Sequence, residues 1–282
     1  MEIYNQYIST KLQNHFLAQE KGHKKTSFWA TDCEKPLFDL YHEWIGTPPT
    51  NPMTAEKLVM FSAAKMLEVA LVKKLQTIGL VKNAETQTKI EMERYGLPVT
   101  GYIDAVFVDD TPLEIKTFYG EYQARELRNN KPKTSYLKQL AVYMDALKAD
   151  RGKLIYMDRG TGEMFEFTLL REKDNKYKML DIEFNLDETY ERWASLYNNN
   201  VLPKVEPLSG YRYKYPLEQF IVNASKSDIS AARTNRAVYG DWQVKYSPYK
   251  NLIIEREGTT LGYSDEELKK IKELTKGYSS KF

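Results

Sequence analysis

The sequence predicts a mixed α/β protein: a central mixed β-sheet flanked by helices, with helical additions at both ends. Two observations carry this. Residues 86–95, 99–108 and 112–118, and again 152–158 and 163–170, read as short strands set apart by turn residues. Segments 54–79 and 134–149 place apolar residues at helical spacing and bracket those strands.

The elements follow in order. Residues 2–21 read as an amphipathic helix with a stripe of Ile3, Tyr7, Leu12, Phe16 and Leu17. A second helix covers 36–45 and is ended by Gly46, and the proline-rich stretch 47–52 is a linker. Thr54 can cap the long helix 54–79 and Gly79 can end it, with Phe61, Met66, Leu67, Ala70, Leu71 and Leu75 as its apolar face. Residues 119–133 read as a polar, basic loop broken by Asn129, Asn130 and Pro132. A helix at 187–199, an irregular stretch at 201–260 and a last helix near 264–276 complete the chain. No composition shift marks a border. The expected organisation is one elaborated domain: a helical segment 1–53, a core 54–200 and an extension 201–282.

Bulk composition limits the function. The chain has 282 residues, enough for a sizeable core, and its net charge of +2 excludes a uniformly cationic surface. One cysteine, Cys33, excludes an internal disulfide framework, and three histidines without HxH, HExxH or CxxC spacing argue against zinc. There is no apolar signal region and no apolar run of about 20 residues, so the expectation is a soluble intracellular protein without membrane contact.

The stretch GYIDAVFVDDTPLEIKTF, residues 101–118, carries charge where a plain sheet would carry apolar side chains. Side chains alternate across a strand, so Glu114 and Lys116 share a face while Ile115 points to the other, and Asp104 can reach the face of Glu114. Two carboxylates and an ammonium at the edge of a core cost several kcal/mol (~3–5) unless they pair or bind a cation. An exposed Glu–Lys pair is the plain alternative. Magnesium or manganese, which prefer oxygen ligands, is the other solution; Asp104 and Glu114 would hold the ion and Lys116 would stabilise charge during phosphodiester hydrolysis.

The set G-Y-I-D, L-E-I-K-T and Q-L-A-V-Y resembles the PD-(D/E)XK nuclease superfamily, in its RecB-like branch with CRISPR-associated and phage exonucleases, over residues 28–255. The resemblance implies a restriction-endonuclease-like core. It assigns Asp104, Glu114 and Lys116 to the catalytic motif, Gln139 and Tyr143 to the Q-x-x-x-Y helix, and the backbone carbonyl of Ile115 to the metal. Gln139 and Tyr143, four apart, share a helix face. The family places a histidine or acid on the upstream helix; AAKMLEVAL puts Glu68 there, as a further metal ligand. Glu91 and Glu93 on the preceding strand are weaker ligand candidates, with solvated side chains as the plainer reading.

Many RecB-like nucleases carry an iron–sulfur cluster, with a C-terminal pattern like W-x-C-x-Y-C-x-Y-K-x-x-C. Here DWQVKYSPYKNLII keeps Trp242, Tyr246, Tyr249 and Lys250, but Val244, Ser247 and Ile253 stand at the cysteine positions; Pro36 takes the N-terminal one, with Cys33 out of register. A cluster needs about four thiolates, so none is expected. Burial of Phe38, Trp44, Trp242 and Tyr249 is expected to replace it.

Arg125, Arg128, Lys131, Lys133 and Lys138 interleave with Tyr119, Tyr122 and Tyr136 beside the motif, which suits contact with DNA phosphates and bases. YRYKY at 211–215 is a weaker candidate. The expected activity is a Mg2+- or Mn2+-dependent deoxyribonuclease, an exonuclease in preference to an endonuclease. The resemblance implies a role in phage or bacterial recombination, repair or replication, in the cytoplasm of a bacterium or infected host, with a helicase, recombinase or single-strand-binding protein as the candidate partner. The alternative is a non-catalytic DNA-binding or assembly subunit on the same fold.

Overall fold

The computed structural model describes residues 7–19, 24–82, 87–199, 201–203, 246–257 and 265–276. The YRYKY run, Trp242 and Val244 lie outside them. The chain forms two compact units. The first comprises Met1–Lys21, Lys25–Lys35 and Thr54–Asn200; the second comprises Gly22–Lys24, Pro36–Met53 and Val201–Phe282.

The first unit is mixed α/β with flanking helices, as the sequence predicts, but its strands divide between two mixed sheets where one central sheet was expected. In the smaller, β1 (Phe28–Trp29) runs parallel to β3 (Leu97–Ile103), and β2 (Thr88–Arg94) pairs antiparallel on β3's other side. In the larger, six strands run in sequence order: β4 (Ala105–Val106), β5 (Pro112–Phe118), β6 (Arg151–Asp158), β7 (Met164–Arg171), β8 (Lys176–Met179) and β9 (Ile182–Asn185). Only β5 and β6 are parallel, as expected where a helical crossover separates two strands. That crossover holds α4 (Glu121–Arg128) and α5 (Thr134–Leu147); α1 (Tyr7–Gln19), α3 (Ala55–Thr77) and α6 (Leu186–Asn199) complete the unit.

β5 is covered on both faces. Leu113 and Ile115 join Val81 and Ala105, with Leu71, Val72 and Leu75 of α3 packed against them. The opposite face carries Glu114 and Lys116, which register with Leu154 and Tyr156 of β6. On β6 this is the face that α5 covers: a Cβ on Gly152 would lie 2.8 Å from Met144 Sδ and 2.9 Å from Leu140, so only glycine lets the helix approach this closely.

Several expectations need correction. On α3, Leu71 and Leu75 are core-facing, but Phe61 (53% exposed) and Met66 (64% exposed) are not, and Leu67 and Ala70 are exposed as well. The helix has apolar residues around much of its circumference, so periodicity alone selects the wrong stripe; the working stripe runs through 68, 71, 72 and 75. Leu12 and Leu17 of α1 are likewise exposed. Residues 121–128 form α4 where a loop was expected, because Ala124 and Leu127 supply a buried face. The short strands β1, β8 and β9 leave little pattern to read. The stretch expected to be irregular contains a helix.

That helix is α7 (Lys250–Glu257), in the second unit with α2 (Leu37–Ile45) and α8 (Asp265–Leu274). Gly46 ends α2 with φ of 78°, a left-handed position natural to glycine. Ser247, at one of the cluster-cysteine positions, is buried. Its Oγ donates to Asp39 Oδ1 (2.7 Å) and accepts from the Tyr249 amide (3.0 Å). Thr50 and Asn51 amides donate to the Pro248 carbonyl at 2.9 and 2.8 Å. Phe38, Tyr249 and Ile253 are buried, whereas Trp44 is only half-buried. Hydrogen bonds thus accompany apolar burial in joining residues 36–51 to residues 246–253.

Candidate active site

Asp104 lies at the bend between β3 and β4, where the chain leaves one sheet for the other. Its Oδ2 accepts the Ile115 amide at 2.9 Å, which ties the bend to the middle of β5. Its Oδ1 accepts from Gln87 and stands 3.4 Å from Lys65 Nζ. Glu114 is buried and pairs with Lys116 through Oε1; its Oε2 is buried with no hydrogen-bond partner. The Lys116 ammonium lies 4.6 Å from the centroid of Tyr136. Gln139 Nε2 donates to Tyr143 Oη at 2.8 Å, so the two residues of the helix motif act as a pair. Tyr143 lies against Gly101: a Cβ there would meet Tyr143 Cε1 at 2.7 Å, which explains the glycine three residues before Asp104.

One cleft of about 180 Å³ is lined by Asp104, Glu114, Lys116, Gln139 and Tyr143 together with Glu68 from α3. Six of the seven residues assigned to catalysis or metal therefore line one cavity; Ile115, whose carbonyl was expected on the metal, is not in the lining, and its amide instead donates to Asp104 Oδ2. Lys65, Gln87, Trp29, Thr31 and Tyr102 line it too. None of these five has a motif that marks it in the sequence. Glu91 and Glu93 are exposed on β2, away from this list.

The electrostatics are those of crowded acids. Burial pushes the Glu114 carboxyl up to about 8; Lys116 opposes the rise and the nearby Asp104 adds to it. Glu68 is raised by burial and then by Asp104, with Lys65 pulling the other way. Burial works against the Lys116 charge, but the adjacent Glu114 more than reverses this and holds the ammonium above its ordinary value. Tyr143 is pushed well above the usual phenol range by burial, with Glu114 contributing.

Among the described residues no group of three or more His, Cys, Asp or Glu side chains is arranged as a metal-holding cluster. Ammonium groups stand against the acids instead. Lys65 Nζ is 3.4 Å from both Glu68 Oε2 and Asp104 Oδ1, and Lys116 takes Glu114. The donor chemistry nonetheless fits a hard dication. Two carboxyls, Glu68 and Glu114, raised by burial and by the adjacent Asp104, and a buried oxygen without a partner are what such an ion would relieve.

The basic residues are disposed unequally. Arg128 is engaged, with Nη1 on Glu121 Oε1 at 2.6 Å and Nε and Nη2 on Glu163 at 3.2 and 2.6 Å. Lys138 lies 3.3 Å from Glu34. Lys133 Nζ is 5.6 Å from the Tyr136 ring, and Arg125 is 5.6 Å from Tyr122. Lys131 is exposed, as are Tyr119 and Tyr122.

No protein-family model and no curated protein matches the chain. Twelve solved chains match in structure. One is the protein SSO0001, at 19% identity and a TM-score of 0.45, covering 79% of this chain and 97% of its own. Another is the alkaline exonuclease LHK-Exo from Laribacter hongkongensis, at 14% identity and a TM-score of 0.44, covering 75% of this chain and 100% of its own. Among the described residues, no helix is long and apolar enough to cross a membrane.

Proposed function

We propose that this chain is a divalent-metal-dependent deoxyribonuclease, read here as an exonuclease, that hydrolyses DNA phosphodiester bonds. The observation behind this is the convergence of Asp104, Glu114, Lys116, Gln139, Tyr143 and Glu68 on one cleft, with a buried carboxylate oxygen lacking a partner. Asp104, Glu114, Glu68 and the Ile115 carbonyl would hold magnesium or manganese. When bound, such an ion supplies a polarised phosphoryl oxygen and a water of lowered pKa. Lys116 offers fixed positive charge to the phosphate as negative charge builds. Tyr143 keeps its proton at neutral pH, so with Gln139 it serves as a positioning donor and not as a base. The exposed Lys131, and Arg125 beside the exposed Tyr122, are the candidates for strand contact, whereas Arg128 must first give up its acidic partners.

The test is incubation of the protein with linear and closed-circular DNA, single- and double-stranded, with magnesium, manganese or EDTA. Degradation of linear DNA only, stopped by EDTA, is the expected result. Cutting of circles makes the enzyme an endonuclease. DNA binding without cutting in any metal makes it a non-catalytic subunit.

Glu114 sets the pH dependence. Its carboxyl must lose a proton to hold an ion, so Mn2+ affinity is expected to rise by up to about tenfold per pH unit below the raised pKa and to level off above it. That pKa is about 8. In the metal-free protein the sign is opposite: a raised carboxyl favours the fold below its ordinary value, 4.5, and that contribution is lost as pH rises through about 8. Calorimetric titration of Mn2+ between pH 6 and 9 checks this; a flat profile removes Glu114 from the ion.

Lys65 occupies the ground between two of the acids, so it competes with a dication. Replacing it with methionine is expected to tighten Mn2+ binding by about three- to tenfold, the gain being limited by solvent screening of a half-exposed ammonium. Calorimetry on Lys65→Met reads this directly, and weaker binding would instead make Lys65 a support of the ligand geometry.

A further inference from the structure

A second, larger cavity of about 520 Å³ adjoins the cleft, and the two share Lys65, Glu68, Gln87 and Asp104. Its volume falls in the ~300–1,000 Å³ range of pockets that hold small molecules, mostly apolar with a few polar groups. Val69, Val72, Ala105 and Val106 give it apolar walls, and Lys73 and Lys82 add positive charge. Gln76 and Thr88 bring hydrogen-bonding groups.

One helix sets out these groups in a line. Lys65, Glu68, Val69, Val72, Lys73 and Gln76 all line the cavity and recur at the three- and four-residue spacing of a single helical face. At a rise of 1.5 Å per residue, Lys73 stands about 7.5 Å along the axis beyond Glu68, with the two valines between. The order along α3 is therefore acid, apolar wall, base. That is the order of demands made by a nucleotide next to a phosphate held at the acids: a sugar and base to cover, then a further phosphate to neutralise. Lys82 carries Asp110 as partner, which leaves Lys73 as the principal cation of the far end.

We propose that this cavity receives the nucleotide unit of a DNA strand that adjoins the phosphate held at Asp104 and Glu114. Assigning the occupant to a DNA strand rests on the nuclease reading. The cavity's affinity for a nucleotide does not, and the two are tested apart. Thymidine 5′-monophosphate serves as the probe, titrated calorimetrically in EDTA so that neither metal nor turnover enters. Val69→Trp fills the cavity from a position that is itself 43% exposed, so the core is spared. Lys73→Glu reverses the charge at the far end without touching packing.

Each variant is expected to weaken the nucleotide by about tenfold or more. Thymidine without its phosphate should respond to Val69→Trp and not to Lys73→Glu. Mn2+ binding should be unchanged in both variants. If the protein degrades DNA yet the wild type does not bind the nucleotide, or both variants bind it as tightly as the wild type, the cavity assignment is overturned and the nuclease reading stands. If the nucleotide binds and is lost in both variants while no metal supports DNA cleavage, the cavity assignment stands and the nuclease reading falls.

Discussion

Replacing Lys116 with methionine is expected to lower the rate of DNA hydrolysis by about 10²–10³-fold, the usual cost of losing one preorganised charge aimed at a transition state. DNA affinity, measured with calcium in place of magnesium, should change little. The side chain is mostly buried and its ammonium is already spoken for by Glu114 and the Tyr136 ring, so it is not a strand-steering cation. The split between rate and affinity is what distinguishes this role from a surface contact. Tyr136 refines the test. With the ammonium 4.6 Å from its ring centroid, Tyr136→Phe preserves the cation–π contact and should keep the rate, whereas Tyr136→Leu removes it and should lower the rate by several-fold, about three- to tenfold. A full rate in Lys116→Met would end the catalytic assignment of the Glu114–Lys116 pair.

How much of this was readable in advance depends on how far apart the partners lie in the chain. Glu114 and Lys116 are two residues apart, and strand alternation alone puts them on one face; Gln139 and Tyr143 are four apart on a helix, and the amide does meet the phenol. Asp104 was expected within a strand at 99–108 and lies at a bend that divides it, and its bond to the Ile115 amide closes a separation of only 11 residues. Lys65 meets Asp104 across 39 residues and Arg94 meets Asp145 across 51; no local period encodes either. The same limit explains α3. Its apolar residues outnumber those that one face can hide, so which stripe turns inward is decided by the sheet it meets. It also explains β8 and β9, four residues each, whose pairing with one another is fixed by the strand before them more than by their own pattern.

Asp145 is the residue whose loss should cost the fold most. It sits on α5 two positions beyond Tyr143 and is 2% exposed. Arg94 of β2 reaches it with Nε at 2.6 Å and Nη2 at 3.0 Å, Arg171 of β7 with Nη2 at 3.2 Å, and Tyr190 of α6 with its hydroxyl at 3.1 Å. Three elements are thus pinned to the helix that carries Gln139 and Tyr143. Burial alone would raise this carboxyl, but the Arg94 hydrogen bonds and charge more than reverse that and hold it below its ordinary value of 3.8. Asp145→Ala leaves two guanidinium groups and a buried phenol without their acceptor, a loss of about 3–5 kcal/mol. For a unit of this size that is a fall in Tm of roughly 6–20 °C. The pH sign follows from the lowered pKa: the contribution is present above the unfolded value and is lost as pH falls through the folded one. The gap in Tm between wild type and Asp145→Ala should therefore be full at pH 7 and close as the pH drops below about 4. Arg94→Met should cost less, because Arg171 and Tyr190 still hold the carboxylate. A gap that persists unchanged into acid would mean that the carboxylate's charge is not what binds these elements, and that Asp145 acts through packing alone.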